Sequence, residues 1–509
     1  MRRRTLFAIA LGTAAVTMAA TISLSTRPTM TYTSQFENVL GTSLDLTVVA
    51  GSEDQARSVE AAVLASIQHD AGILSSYDPA SEFSRWFATR GVATRVSPEL
   101  AEVLSLFDAW RARTGGALDP SVEEVSRVWK RAAAEGRRPE TAELAAAVAA
   151  IRQAHWTVDP TASTATHLSD TPLVLNSFTK SYIVDRAAAA GLAAGATGIV
   201  VNIGGDIAVR GDRTERVAVR DPLASADNAA PLTTLMIEGR AVATSGGYRR
   251  GFDINGRHYS HIVDPRSGEP TGHVLSATVI ADDAVDAGAL ATALCVLTPE
   301  HGKRLAAGVP GVEFLMLLAD GGRIESAGWR DYEAPVGGRS ILPSPVATLY
   351  AAEQAWNPEF QLTVTLDLAR PGFGARRPYV AVWIEDKDKY PVRTLALWLE
   401  KTRWLPDLRA WSRSDRLRSL AEGTNILASV SSATRAPGRY TLTWDGKDQQ
   451  GKPVKPGVYT VLVEAAREHG TYQVVRQDMD FSGVPKHVDL PGGLEIASVA
   501  LDYNKAGGR

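Results

Sequence analysis

Two hydrophobic periods run along this chain, and the change from one to the other divides it. A helical pattern covers about Glu53 to Leu74. Ser97-Pro98-Glu99 then reads as a helix start, with a hydroxyl cap, proline at the first position and an acid in the first turn. Leu100, Val103, Leu104, Phe107 and Trp110 follow at helical spacing, and Gly115-Gly116 ends the element. Thr141 opens an alanine-rich helix through Ile151, and Thr179 to about Leu192 is helical again. Gly198-Ile199-Val200-Val201 reads as a buried strand that runs into the turn Gly204-Gly205. Leu275 to Ile280 predicts a strand, Asp286 to Leu297 a helix, Pro299 to Ala307 another, and Phe314 to Ile324 a hairpin through Asp320-Gly321-Gly322.

Beyond residue 334 the period falls to two. Tyr440, Leu442 and Trp444 share one face of a strand, as do Tyr459, Val461 and Val463, with turns at Asp445-Gly446 and Pro456-Gly457. The pattern predicts an α/β or α+β domain over residues 29–333, a Pro/Gly/Ser-rich linker over 334–348, and an immunoglobulin-like β-sandwich over 349–509. No internal repeat or low-complexity tract crosses this division.

Ahead of both, Arg2-Arg3-Arg4 precede an apolar run from Leu6 to about Ile22 with small residues near Ala19-Ala20. That order is a secretory signal, placed at residues 1–28, or an uncleaved anchor; Arg3-Arg4 also fits a loose twin-arginine pattern. The folded part is therefore expected outside the cytoplasm, in the periplasm or on the outer face of the membrane. With 54 Lys+Arg against 57 Asp+Glu, no basic excess calls for nucleic acid. The only cysteine, Cys295, excludes an intramolecular disulfide, and its apolar surroundings suit a structural thiol.

The densest chemistry lies between Ala243 and Pro270. Thr244-Ser245-Gly246-Gly247-Tyr248-Arg249-Arg250 offers hydroxyls, glycine amides and positive charge to an anion. Tyr259-Ser260-His261-Ile262-Val263-Asp264-Pro265 adds a side chain that titrates near neutral pH. The plainer reading is a hairpin whose polar residues cap turns. Asn202-Ile203-Gly204-Gly205-Asp206-Ile207 either admits a ligand close to the backbone or is a tight turn. Asn176 to Tyr182 either presents amides and Lys180 to a phosphate or is an ordinary helix cap. His258 and His261 have no further ligand at zinc spacing, and no Gly-x-Ser-x-Gly elbow is present.

Taken in order, these pieces resemble the FAD:protein FMN transferases, the ApbE-type flavin transferases, over roughly Tyr32 to Trp329. The resemblance rests on Ser76–Ser84, Gly115–Ser121, Thr179–Arg186, Asn202–Ile207, Thr244–Tyr248, Tyr259–Gly268 and Ala289–Leu294. It implies an α/β enzyme that uses FAD and Mg²⁺, moves FMN onto a Thr or Ser hydroxyl of an exported protein, and releases AMP. By resemblance His261 is the base. Tyr77, Leu118, Asp119, Lys180, Gly205, Asp206, Ser245 and Gly246 match flavin-lining positions, and Thr179 and Thr292 match the metal end.

Three positions depart from that pattern. Gly288 stands four before Thr292, where the family has Asp; Ser181 replaces the glycine after the lysine; Val174 replaces another usual acid. Either Asp282, Asp283 or Asp286 supplies the missing carboxylate, or metal binding is weak. The alternative is a catalytically altered relative that holds FAD without transferring it. Membrane association through the acceptor or an uncleaved signal fits either reading. The second half resembles sandwich modules fused to, or encoded near, flavin proteins, with Trp383, Trp398, Trp404 and Trp411 expected in its core.

Overall fold

The computed structural model describes residues 29–335 and 356–506, apart from 225, 249, 371–376, 400, 401, 425, 468 and 469. The expected signal at 1–28 and most of the expected linker lie outside the described residues.

The N-terminal body is built on one eight-stranded sheet. In spatial order its strands are Met30–Val39, Thr42–Ala50, Gly198–Ile203, Asp206–Gly211, Ala241–Gly246, Val274–Ala281, Glu313–Leu318 and Arg323–Glu325. Every neighbouring pair is antiparallel. Alternation assigns the faces. Leu44, Leu46 and Val48 point to the helical side with Ile199, Val201 and Ile203, while Val200 points to the other. Because both faces of Gly198–Ile203 are covered, its sequence reads as a continuous apolar run.

Helices Thr179–Ala193 and Ala284–Val296 cover the first face, with Glu53–Leu74 packed on the former. The hairpin Thr214–Val219/Thr233–Glu238 and the fully buried Trp329 cover the second. Ser97 caps the helix Pro98–Arg113 by accepting from the Leu100 N–H, and Leu100, Val103, Leu104, Phe107 and Trp110 are all buried.

A satellite core fixes the segment that carries His261. Trp129, from helix Glu123–Ala134, stacks on Phe252 of the hairpin Gly251–Ile254/Arg257–Ser260. Its indole N–H donates to Gly268 O at 2.9 Å, and Val263 is buried in the same cluster.

The C-terminal body packs two antiparallel-dominated sheets face to face. One has the order Gly438–Trp444, Phe360–Leu368, Ile496–Lys505, Lys486–Pro491; the other Ser431–Ser432, Pro391–Trp398, Tyr379–Glu385, Val458–Ala466, Tyr472–Asp480. Leu442, Trp444, Val461 and Val463 meet between them. Trp383 and Trp411 lie in a second core, where helix Arg409–Glu422 covers the outer face of the five-stranded sheet, and Trp398 lies between the sheets. Trp404 packs, partly buried, against that second core.

Candidate active site

The hairpin expected around residue 259 is present, and several of its polar residues do cap turns. Ser260 Oγ accepts from the Ile262 N–H, Ser267 Oγ from the Glu269 N–H, and Asp264 from the Arg266 N–H and guanidinium. His261 does something else. Its Nδ1 lies 3.1 Å from Arg250 O, which also accepts the His261 backbone N–H. A carbonyl only accepts, so Nδ1 carries the proton and Nε2 keeps its lone pair. The ring surface reaches solvent while protein surrounds its inner side, and this desolvation, with the Arg250 charge assisting, pushes its pKa below the ordinary histidine value. His261 is thus a neutral base near pH 7.

Strand Ala241–Gly246 ends beside helix Ala284–Val296, which brings Ser245 to Thr292. Their hydroxyl oxygens are 3.1 Å apart, and the Thr292 hydroxyl donates to Ser177 O at 3.4 Å, leaving Ser245 as the donor to Thr292. Next to Ser177, Asn176 Nδ2 donates to the phenol oxygen of Tyr77 at 2.6 Å. Tyr77 itself is 74% exposed, an open ring face at the rim. These contacts join the loops at 76–77 and 176–177 to the ends of the strand and helix that carry Ser245 and Thr292.

Helix Thr179–Ala193 begins with no side-chain cap, so its first-turn amides are not consumed by a neighbour's hydroxyl. That observation sets aside the ordinary-cap reading. Lys180 is not a lone solvated lysine either, because its Nζ lies 3.5 Å from Asp206 Oδ2. Burial drives the Asp206 pKa up and the Lys180 charge opposes it. Gly204 and Gly205 have φ of +61° and +99°, and a Cβ on Gly204 would sit 2.7 Å from Thr42, so the turn depends on glycine there. Nothing lies within 4 Å of the Cβ position of Gly205, which leaves its backbone open to a ligand. Gly246 is more tightly enclosed, its Cβ position 2.8 Å from Leu275 O and 2.9 Å from the Tyr248 ring.

Leu118 and Asp119 face inward. Leu118 is buried, and Asp119 gives one oxygen to Arg111 Nε at 2.7 Å and the other to the amide and hydroxyl of Ser121. Their side chains are occupied by the fold. The sequence assigns no role to Asn202, yet its Oδ1 accepts the Gly205 N–H at 3.0 Å and so holds the turn. A polar residue inside the apolar run Val200-Val201-Asn202-Ile203 was the available signal.

The metal end does not fit a carboxylate-held Mg²⁺. Asp282 pairs with Arg240 at 3.2 Å, Asp283 Oδ1 caps its own helix, and Asp286 is half-buried with the Arg113 charge as its counterweight. None of the three bonds Thr292. A Cβ on Gly288 would sit 2.1 Å from Ser181 Oγ, so that hydroxyl fills the space an aspartate would enter. What remains are neutral oxygens: Thr292 Oγ1, Ser177 O, and the buried Thr179 Oγ1, which lacks a hydrogen-bond partner. Magnesium ordinarily takes at least one carboxylate. Elsewhere among the described residues, His69, Asp70 and Glu99 approach metal-ligand geometry, but Arg186 already bridges both acids at 3.0 Å. Cys295 is fully buried, its pKa pushed up to about 12 by burial, so it is an inert packing thiol.

Residues 40–316 match the group described as the ApbE family, and residues 361–498 match one described as "Predicted periplasmic protein (DUF2271)". An FAD:protein FMN transferase of Rhodobacter capsulatus is 32% identical over 331 residues, covering 63% of this chain and 62% of that protein. One from Klebsiella pneumoniae is 28% identical over 309 residues, 58% of this chain and 86% of the relative. The crystal structure of the ApbE protein from Thermotoga maritima superposes with a TM-score of 0.53 at 26% identity, covering 60% of this chain and 100% of that one. The apo flavinyl transferase ApbE of Pseudomonas stutzeri does so at 0.51 and 25%, covering 60% and 97%.

Proposed function

Because this chain belongs to the ApbE family, we propose that it is an FAD:protein FMN transferase acting on an exported acceptor. The observation that carries this reading is the tautomer of His261, whose Nδ1–H is tied to Arg250 O so that Nε2 is free to take a proton. In the proposed step, a Thr or Ser hydroxyl of the acceptor attacks the FMN phosphorus of FAD. The new P–O bond forms as the pyrophosphate P–O bond breaks, AMP leaves with the electron pair, and the hydroxyl proton passes to His261 Nε2. Such transfers need positioning and charge stabilisation more than covalent help.

The chain supplies both. Lys180 and the uncapped amides of Thr179–Ala193 provide positive potential for phosphate. Tyr77 offers its exposed face to the isoalloxazine ring or adenine, and Gly205 lets the backbone approach FAD. Leu118 and Asp119 act through their backbone, because their side chains are packed inside. Ser245 and Gly246 shape the floor between the phosphates and His261. The oxygens around Thr292 are neutral, and charge stabilisation falls to Lys180 and the helix amides.

That donor set favours one second reading, a relative that holds FAD but transfers FMN slowly or not at all. The arrangement of residues 29–333 as transferase domain, 334–348 as linker and 349–509 as a further module, and export to the periplasm through residues 1–28, belong to the same proposal; the periplasmic description of the group matching residues 361–498 supports the last. No helix among the described residues is long and apolar enough to cross a membrane. The test is incubation of the mature protein with FAD and an exported acceptor, with and without Mg²⁺. AMP release with denaturation-resistant flavin fluorescence on the acceptor is expected. Bound FAD without AMP release would move the assignment to the second reading, and no FAD binding would reject both.

A further inference from the structure

Strand Gly438–Trp444 is the edge of its four-stranded sheet, and an edge strand leaves alternate backbone groups without a strand partner. Four of those groups are met by two residues of the N-terminal body. The Asp227 N–H donates to Thr441 O at 2.7 Å, and Asp227 Oδ2 accepts the Thr441 N–H at 3.1 Å. Asn228 repeats the pattern with its side-chain amide: Nδ2 donates to Thr443 O at 2.8 Å, and Oδ1 accepts the Thr443 N–H at 2.8 Å. Two adjacent residues thus imitate a short antiparallel strand, in the connection between Thr214–Val219 and Thr233–Glu238.

A second contact lies at the far end of the N-terminal sheet. Arg377 of the sandwich pairs with Glu37 and donates to Asn38 Oδ1 at 3.3 Å. Gln35 faces Asp45 in register across the first two strands, and Asp45 faces Asn202 across the next. These polar side chains share the sheet face turned away from the helices. The line continues inward: Asn202 Nδ2 donates to Asp45 Oδ2 at 3.3 Å, while Asn202 Oδ1 accepts the Gly205 N–H. The charge of Arg435, also in the sandwich, opposes the rise that burial imposes on Asp45.

We propose that the C-terminal sandwich is docked on the N-terminal body by the Asp227-Asn228 clasp and the Arg377–Glu37 pair, and that through Asp45 and Asn202 it positions the Gly204-Gly205 turn. The sandwich is then a positioning module for flavin binding. The positioning half rests on the reading that this turn faces FAD; the docking half does not.

Hydrogen exchange on the full-length chain separates them. In the intact protein the Thr441, Thr443 and Gly205 amides are expected to be protected. D227A/N228A lies in a surface loop and leaves the core intact; it should speed exchange at Thr441 and Thr443 about tenfold or more, as expected for losing several hydrogen bonds at once. Gly205 exchange should rise with them, and the Kd for FAD should rise severalfold with kcat little changed. D227N keeps the acceptor oxygen and should restore wild-type exchange at Thr441, and R377A should reproduce the Gly205 effect from the other contact. Fast exchange at Thr441 and Thr443 in the wild type would overturn docking. Undocking that left Gly205 exchange and FAD affinity unchanged would overturn positioning. If the wild type bound no FAD, the flavin reading would fall, and the coupled exchange of Thr441 and Gly205 would still decide the structural coupling.

Discussion

The tautomer of His261 is set by one carbonyl, and in the proposed transfer that single constraint decides which ring nitrogen takes the proton. With Nδ1–H held by Arg250 O, Nε2 is the only ring nitrogen able to act as base. Replacing His261 by Ala is expected to lower kcat by about 10²–10⁴-fold, the usual worth of a positioned general base. FAD affinity should be nearly unchanged, because the residues proposed for phosphate contact lie elsewhere. The pH dependence follows from the lowered pKa. Burial and the Arg250 charge favour the neutral ring, so the base stays competent as pH falls until the pH passes the depressed folded value. The acid limb of kcat/KM should therefore lie below 6.5, the ordinary value for the free side chain. A limb at or above 6.5 would show that another group, or a differently held histidine, takes the proton.

At the scale of elements, the site depends on how closely two helices cross. Thr179–Ala193 and Ala284–Val296 meet at Ser181 and Gly288, where one hydroxyl fills the space that a side chain on residue 288 would need. Gly288→Asp alone should destabilise the chain by about 1–3 kcal/mol from overpacking, with the cost of burying a charge added. Ser181→Gly/Gly288→Asp should recover stability and gain Mg²⁺ affinity, read by calorimetry with Mg²⁺ alone and by thermal melting. A double variant as unstable as the single one, or one that binds no Mg²⁺, would show that the two positions are not interchangeable in this way.

The helices themselves were legible: Ser97-Pro98 and the apolar spacing placed Pro98–Arg113, and the Gly288 departure was visible by counting back from Thr292. The Ser181 hydroxyl filling the gap was not, because it joins residues more than a hundred apart with no local pattern. Nor was the fate of Asp119. Its sequence context suits a ligand contact, but Arg111, one helical stretch away, turns the carboxylate inward.

For the whole molecule, the sequence divides the chain by its hydrophobic period but says nothing of how the halves meet, since Arg377, Arg435, Asp227 and Asn228 look like ordinary surface residues. In the proposed docking they are the means by which the sandwich reaches the Gly204-Gly205 turn, and Asp45 gives that contact a pH signature. Burial raises the folded pKa of Asp45, and among the groups facing it Arg435 lowers it, Gln35 lowers it by hydrogen bonding, and Glu37 raises it. Removing Arg435 raises the folded pKa further, so above that value the buried carboxylate costs more stability. As pH falls through the folded pKa, Asp45 takes up a proton and the added cost disappears. Arg435→Met keeps much of the packing over Trp398, where the guanidinium sits 5.5 Å from the ring. This variant should lose about 1–3 kcal/mol at pH 7, the scale for a buried polar group left under-compensated. The loss should shrink towards pH 4, measured by denaturant unfolding across that range. Adding Asp45→Asn should remove the pH dependence of the Arg435→Met effect, because no carboxylate is left to titrate. An Arg435→Met loss that is constant with pH would assign Arg435 to packing alone and leave Arg377 as the sandwich's electrostatic hold on the sheet.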